Sequence, residues 1–183
     1  SPHRRRGTAT IGGQAHFSLE SQVALAIPGE DDEVYIQSST QHPTEIQVMV
    51  AQVLGIPHAA VTVNMRRMGG GFGGKETQGN LFAVLAALAA KKFNRAVKIR
   101  PDRDDDFQIT GKRHDFVVSY DVGYDDAGKI QAVAATFAAR AGFSADLSGP
   151  VTDRALFHCD NAYWYPAVRV NSLPLFTNTV SNT

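Results

Sequence analysis

Five of the six residues from Gly69 to Gly74 are glycine, and the sixth, Phe72, stands at the crown of the run. A strand-like segment, Val61-Thr62-Val63, comes before it, and a strongly apolar segment, Leu81 to Ala90, comes after it. Glycine is entropically expensive to order, so a cluster of this density belongs where the backbone turns sharply or approaches another group closely. Placed between a strand and a helix, its amides and the positive end of the helix dipole face the same ligand. The segment reads as a cradle for a bound group, with a phenylalanine at a position that packing alone does not call for.

Two common cradles fit in part. Gly69 to Lys75 matches G-x-x-x-x-G-K, but Glu76 stands where a phosphate-binding loop places a hydroxyl for magnesium. A carboxylate there repels phosphates. Gly69, Gly71 and Gly74 satisfy G-x-G-x-x-G, yet the acidic residue expected about 20 positions onward is replaced by Asn94-Arg95-Ala96. The histidines show no H-E-x-x-H spacing, and Asp104-Asp105-Asp106 lacks the spaced ligands of a calcium loop. That acidic run reads as helix-start charge paired with Arg103.

The 183 residues suit one domain, or at most two small ones. An apolar share of 43% with 20% charged residues is that of a globular chain. A formal net charge of zero gives no general pull toward nucleic acid or anionic membrane. The one basic cluster, His3 to Arg6, has no aromatic residues interleaved and reads as the exposed end of a strand. Cys159 is the sole cysteine, so the chain closes no internal disulfide and holds no iron–sulfur cluster of its own. It reads as a buried structural thiol in a reducing, cytoplasmic setting. The Leu81–Ala90 run is shorter than the roughly 20 residues that span a bilayer.

Apolar runs predict strands at Val23–Ile27, Val34–Gln37, Val61–Val63 and Val97–Arg100, a hairpin of Phe116–Val122 and Lys129–Phe137, and a further strand around Val168–Val170. Helices are predicted from Pro43 to Leu54 with Gly55 as C-cap, over Leu81–Ala90 with Thr77 as cap, and over Asp153–His158. No βαβ rhythm recurs, so the fold class is α+β, with mixed sheets and packed helices.

Several segments together carry a resemblance. Arg66 to Glu76, RRMGGGFGGKE, resembles the molybdenum-cofactor segment of the xanthine dehydrogenase and aldehyde oxidase family. Gly12 to Glu20 resembles its GGQ-x-HFYLE segment, and Ser39-Thr40-Gln41 its STQ. Asp102–Asp106 with Thr110–His114 resembles DRDxD…TGxRH, and Arg154–His158 with Asp160-Asn161 resembles RALFHxDN. Thr177-Asn178 and Ser181-Asn182-Thr183 resemble TNxxSNT. The matches run in family order from Gly12 to Thr183, with two departures: Ser18 in place of tyrosine, and Leu173–Phe176 in place of a stretch usually richer in arginine and lysine.

The resemblance implies a molybdopterin-binding fold of the aldehyde oxidase/xanthine dehydrogenase type and assigns roles. Gln41 would hydrogen-bond an oxygen on molybdenum. Gly71, Phe72 and Gly73 would line the cofactor, so that Gln41 and Phe72 surround the metal through it. Glu76 would hydrogen-bond a purine ring, and Arg154 would hold a purine carbonyl and stabilise the charge that builds there. Aldehyde oxidases generally lack this Glu–Arg pair, so it points to purines, hypoxanthine and xanthine going to urate. Plainer readings stand beside these: Gln41 satisfied by backbone, Glu76 as helix-start charge, Arg154 paired with Asp153 or Asp160. FAD and 2Fe-2S clusters, with NAD as acceptor, would sit on other domains or subunits. The family's AFRGFGG segment and its base glutamate would follow Thr183, so residues 1–183 are expected to be a partial molybdopterin-binding domain, inactive alone. The alternatives are a P-loop-like nucleotide-binding domain, stabilised by ATP with magnesium, and a non-catalytic structural or assembly piece of an aldehyde-oxidase-like enzyme.

Overall fold

The computed structural model describes residues 1–183. In chain order the elements are β1 (His3–Ile11), β2 (Ala24–Pro28), β3 (Val34–Ser38), α1 (Pro43–Leu54), β4 (Val61–Asn64), α2 (Gly79–Phe93), β5 (Val97–Ile99), α3 (Arg103–Ile109), β6 (Phe116–Tyr124), β7 (Ile130–Gly142), α4 (Ser148–Phe157) and β8 (Ala167–Phe176). They form two compact units: Ser1–Gln14 with Lys112–Thr183, and Ala15–Gly111. Each has a four-stranded mixed sheet, as the α+β reading expects.

In the unit Ala15–Gly111 the strand order is β4-β3-β2-β5, with β3/β4 parallel and the other pairs antiparallel. Strand alternation puts Ala24 and Ala26 of β2 and Val34 and Ile36 of β3 on one buried face. Helices α1 and α2 cover this core. Ala83, Ala86, Ala87 and Ala90 of α2 are fully buried, and so are Ile46 and Val50 of α1. Alanine at the contact lets α2 lie close to the strands, while each larger side chain buried here contributes about 1.5–3 kcal/mol. Helix α1 starts with Pro43 in its first turn and ends at Gly55, left-handed at φ 68°, with the Ile56 amide donating to Ala51 O at 3.0 Å. Helix α2 departs from expectation: it begins at Gly79 rather than Leu81, and the Gln78 side chain before it makes no cap bond. Helix α3 is capped by Asp102, whose carboxylate accepts from the Asp105 amide at 2.8 Å, and Arg103 pairs with Asp106 at 3.4 Å. The acidic run is therefore helix-start charge.

In the other unit the order is β1-β6-β7-β8, antiparallel except for β7/β8. The basic cluster lies on β1, beside β6. Arg4 and Arg6 both bond Asp121, and these guanidinium groups hold its carboxyl down at about 2. Helix α4 starts at Ser148, earlier than the predicted Asp153, and packs on β7 and β8, with Ser172 Oγ donating to Thr152 O at 2.8 Å. Asn182, fully buried, accepts from the Lys112 amide and donates to Asp115 and to Arg140 O. The chain leaves this unit after Gln14 and returns at Lys112, and Gln14 O accepts from the Arg113 amide at 3.0 Å. Cys159 is half-buried rather than buried.

Candidate functional site

The glycine run lies in the connection between β4 and α2. Gly69, Gly70 and Gly73 have φ of 69°, 95° and 89°, and Phe72 has φ 55°. A side chain at most of these glycines has no room. An added Cβ at Gly71 would lie 2.5 Å from Gln41 Oε1, at Gly74 2.6 Å from the His16 ring, and at Gly69 2.5 Å from Glu20 Cγ. Phe72 bears a left-handed conformation that costs about 1–2 kcal/mol for a residue with a Cβ, yet its ring is 67% exposed and packs into no core. Strain held without a packing return is a mark of functional positions.

Four side chains fix this loop. Gln41 Oε1 accepts from the amides of Gly73 at 3.0 Å and Lys75 at 3.2 Å, while its own backbone amide donates to Lys75 O at 2.8 Å. Gln22 Nε2 donates to Gly74 O at 2.8 Å, and Ser39 Oγ to Met68 O at 2.9 Å. The Lys75 ammonium is buried and donates to Glu20 O, Ser39 Oγ and Met68 O at 2.9, 2.7 and 2.6 Å. Burial pushes the Lys75 pKa below the usual lysine value, and the nearby charges of Glu20 and Asp106 oppose that shift.

The outer side of the crown is open. A Cβ on Gly73 would meet only Glu76 Oε1 and His16 Nε2, both at 3.9 Å. Half-buried Glu76 enters no ion pair. Gln41 is exposed, and its Nε2, unlike its oxygen, donates to no protein acceptor. A ligand seated over Gly73 would thus meet bare backbone, one free amide donor, a carboxylate and an imidazole. A large polar cofactor that needs close backbone approach fits this set. A nucleotide phosphate does not, because the lysine that would grip it is turned inward with all three N–H groups engaged.

Arg154 lies in the other unit, exposed in the last turn of α4, and forms no ion pair with Asp153 or Asp160. The structure thus gathers Gln41, Gly71, Phe72, Gly73 and Glu76 at one loop, and Arg154 belongs to the other compact unit. No group of three His, Cys, Asp or Glu side chains is placed to hold a metal ion directly. From sequence, Lys75 has no assigned role and His16 only packing and hydrogen bonds. Their one signal was a lysine and a histidine inside motif segments, and nothing local said that the lysine turns inward.

The family model described as the molybdopterin cofactor-binding domain matches residues 1–183. The chain belongs to this family. Among curated proteins, this molybdopterin cofactor-binding domain is 47% identical to a xanthine dehydrogenase of Oryza sativa subsp. japonica over 97% of the chain and 13% of that protein. It is 42% identical to the xanthine dehydrogenase of Blastobotrys adeninivorans over 100% of the chain and 13% of that protein, and 44% identical to the xanthine dehydrogenase/oxidase of Gallus gallus over 100% and 14%. The domain therefore spans about 13% of the length of the first relatives it matches. Quinoline 2-oxidoreductase of Pseudomonas putida 86 shares its fold with a TM-score of 0.86 at 21% identity, covering 100% of this chain and 24% of that one. Aldehyde oxidoreductase of Desulfovibrio gigas does so with a TM-score of 0.83 at 23% identity, covering 98% and 20%. No helix is long and apolar enough to cross a membrane.

Proposed function

We propose that the domain forms one wall of the molybdenum site in a cytoplasmic xanthine dehydrogenase-type hydroxylase acting on purines. The observation that carries this is the division of labour at Gln41. Its oxygen is spent on the loop, at Gly73 and Lys75, and its nitrogen is left as a donor beside the open crown. A molybdenum–pterin group, when bound, supplies the two-electron oxidation and the oxygen transfer. The bare backbone at Gly73 would allow its close approach, with Gly71 packed against Gln41, Gln41 Nε2 would donate to one of its oxygens, and the exposed Phe72 would line it. Glu76 then bonds the purine ring. Arg154 holds a purine carbonyl and stabilises the negative charge that grows there, an effect worth a few kcal/mol in comparable sites. Electrons would pass to 2Fe-2S and FAD groups on other domains or subunits, and on to NAD.

The purine assignment draws on the identity to proteins named xanthine dehydrogenase and on a glutamate that no ion pair otherwise employs. Glu76→Ala and Arg154→Ala, each made in the complete enzyme, should lower kcat/KM for xanthine by at least about tenfold, equivalent to about 1.4 kcal/mol. Near-normal turnover in both variants would instead identify a non-catalytic piece of the assembly.

A further inference from the structure

We infer that Lys75 is the positioning residue of the glycine loop, holding it in its ligand-binding shape before any ligand arrives. A loop with five glycines among six residues has little stiffness of its own, so its shape must be imposed from outside. The Lys75 ammonium imposes it. It is 1% exposed, and its three donors reach three separate segments: Glu20 ahead of β2, Ser39 after β3, and Met68 at the mouth of the loop. The backbone of the same residue is gripped on both sides. Its amide donates to Gln41 Oε1, and its carbonyl accepts from the Gln41 amide at 2.8 Å and from Thr40 Oγ1 at 3.3 Å. Lys75 therefore sets the position of Gln41 as well, and with it the direction of the free Nε2.

All three acceptors are neutral, and no carboxylate touches the ammonium. A buried charge without a contacting counter-ion is costly, and an apolar residue of similar volume would be the cheaper filling. What the charge gives in return is geometry. Three charge-assisted bonds to fixed oxygens tie down a loop whose next residue is Glu76 and whose crown, Phe72-Gly73, lies directly upstream. Such preorganisation lowers the ordering cost of binding at the moment a ligand arrives.

The inference rests on the proposed molybdopterin reading only for the identity of the ligand. Its test compares wild type, Lys75→Met and Ser39→Ala in the complete enzyme. Two quantities are read: hydrogen exchange of peptides spanning residues 66–78, and pterin released on denaturation, measured by fluorescence after oxidation. Lys75→Met should speed loop exchange by at least about tenfold while α1 and β3 exchange as in wild type. Its pterin content should fall below about half that of wild type. Ser39→Ala, which keeps the ammonium and removes one of its acceptors together with the Ser39 Oγ bond to Met68 O, should speed loop exchange by about threefold, and it carries the test if Lys75→Met does not accumulate. Loop exchange within about twofold of wild type in Ser39→Ala and any recovered Lys75→Met overturns the inference. So does an undiminished pterin content in a Lys75→Met enzyme whose loop exchanges faster. Failure of the molybdopterin reading looks different: wild type itself releases no pterin, and the exchange comparison still decides the role of Lys75.

Discussion

Gln41 has one oxygen and one NH2 group, and the fold uses only the oxygen, on Gly73 and Lys75. Gln41→Glu separates the two ends. A carboxylate still accepts from both amides, so stability should change by no more than about 1 kcal/mol. The donor is gone and a negative charge faces the ligand, so turnover and pterin retention should each fall by about tenfold or more. Chemical denaturation and pterin release on the same preparation measure both. Gln41, Phe72 and Glu76 were legible in the sequence because each sits in a short contiguous pattern. The role of Lys75 was not legible: G-x-x-x-x-G-K, set aside because of Glu76, says nothing of where this lysine turns. Its inward direction depends on Glu20 and Ser39, which lie far from it along the chain. No reading of neighbours could supply them.

Among the elements, α1 was the most legible, because proline at its start and glycine at its end act through local backbone geometry alone. Gly55 sits at φ 68° with open space where a Cβ would go. Gly55→Ala therefore meets no clash, and the expected loss is conformational, about 1 kcal/mol in urea denaturation. Other elements were hidden for physical reasons. Strand β1 begins with His3 and three arginines and shows no apolar alternation; its pairing with β6 holds it, together with the bonds from Arg4 and Arg6 to Asp121. Helix α4 begins at Ser148-Gly149-Pro150, residues that read as a turn, because proline is tolerated within the first turn of a helix. Helix α2 starts two residues earlier than its apolar run, at Gly79, because glycine and asparagine carry no hydrophobic signal. Burial of its alanines in the core beneath it holds the helix.

At the scale of the molecule the chain is discontinuous: one unit is built from both ends and the other from the middle. Sequence composition gave no boundary, since neither Gln14 nor Lys112 lies in a linker-like stretch. Where the chain returns, His114 is buried, with Nε2 2.7 Å from Ser148 Oγ and Nδ1 unpartnered. Burial lowers its pKa, against the pull of Asp115 and Asp146 and with the repulsion of Arg140. The folded state thus keeps His114 neutral, while the unfolded chain takes up a proton near pH 6.5. Stability should fall as pH drops below about 6.5 and level off under the folded pKa. His114→Gln should flatten that window in urea midpoints taken across it. The bond between Gln14 and Arg113 has a wider meaning. The middle of the chain departs and rejoins at one hydrogen-bonded rung, so its length adds only a slowly growing closure penalty to the surrounding sheet. A longer or shorter stretch between residues 15 and 111 should therefore leave the register of β1 on β6 as it is.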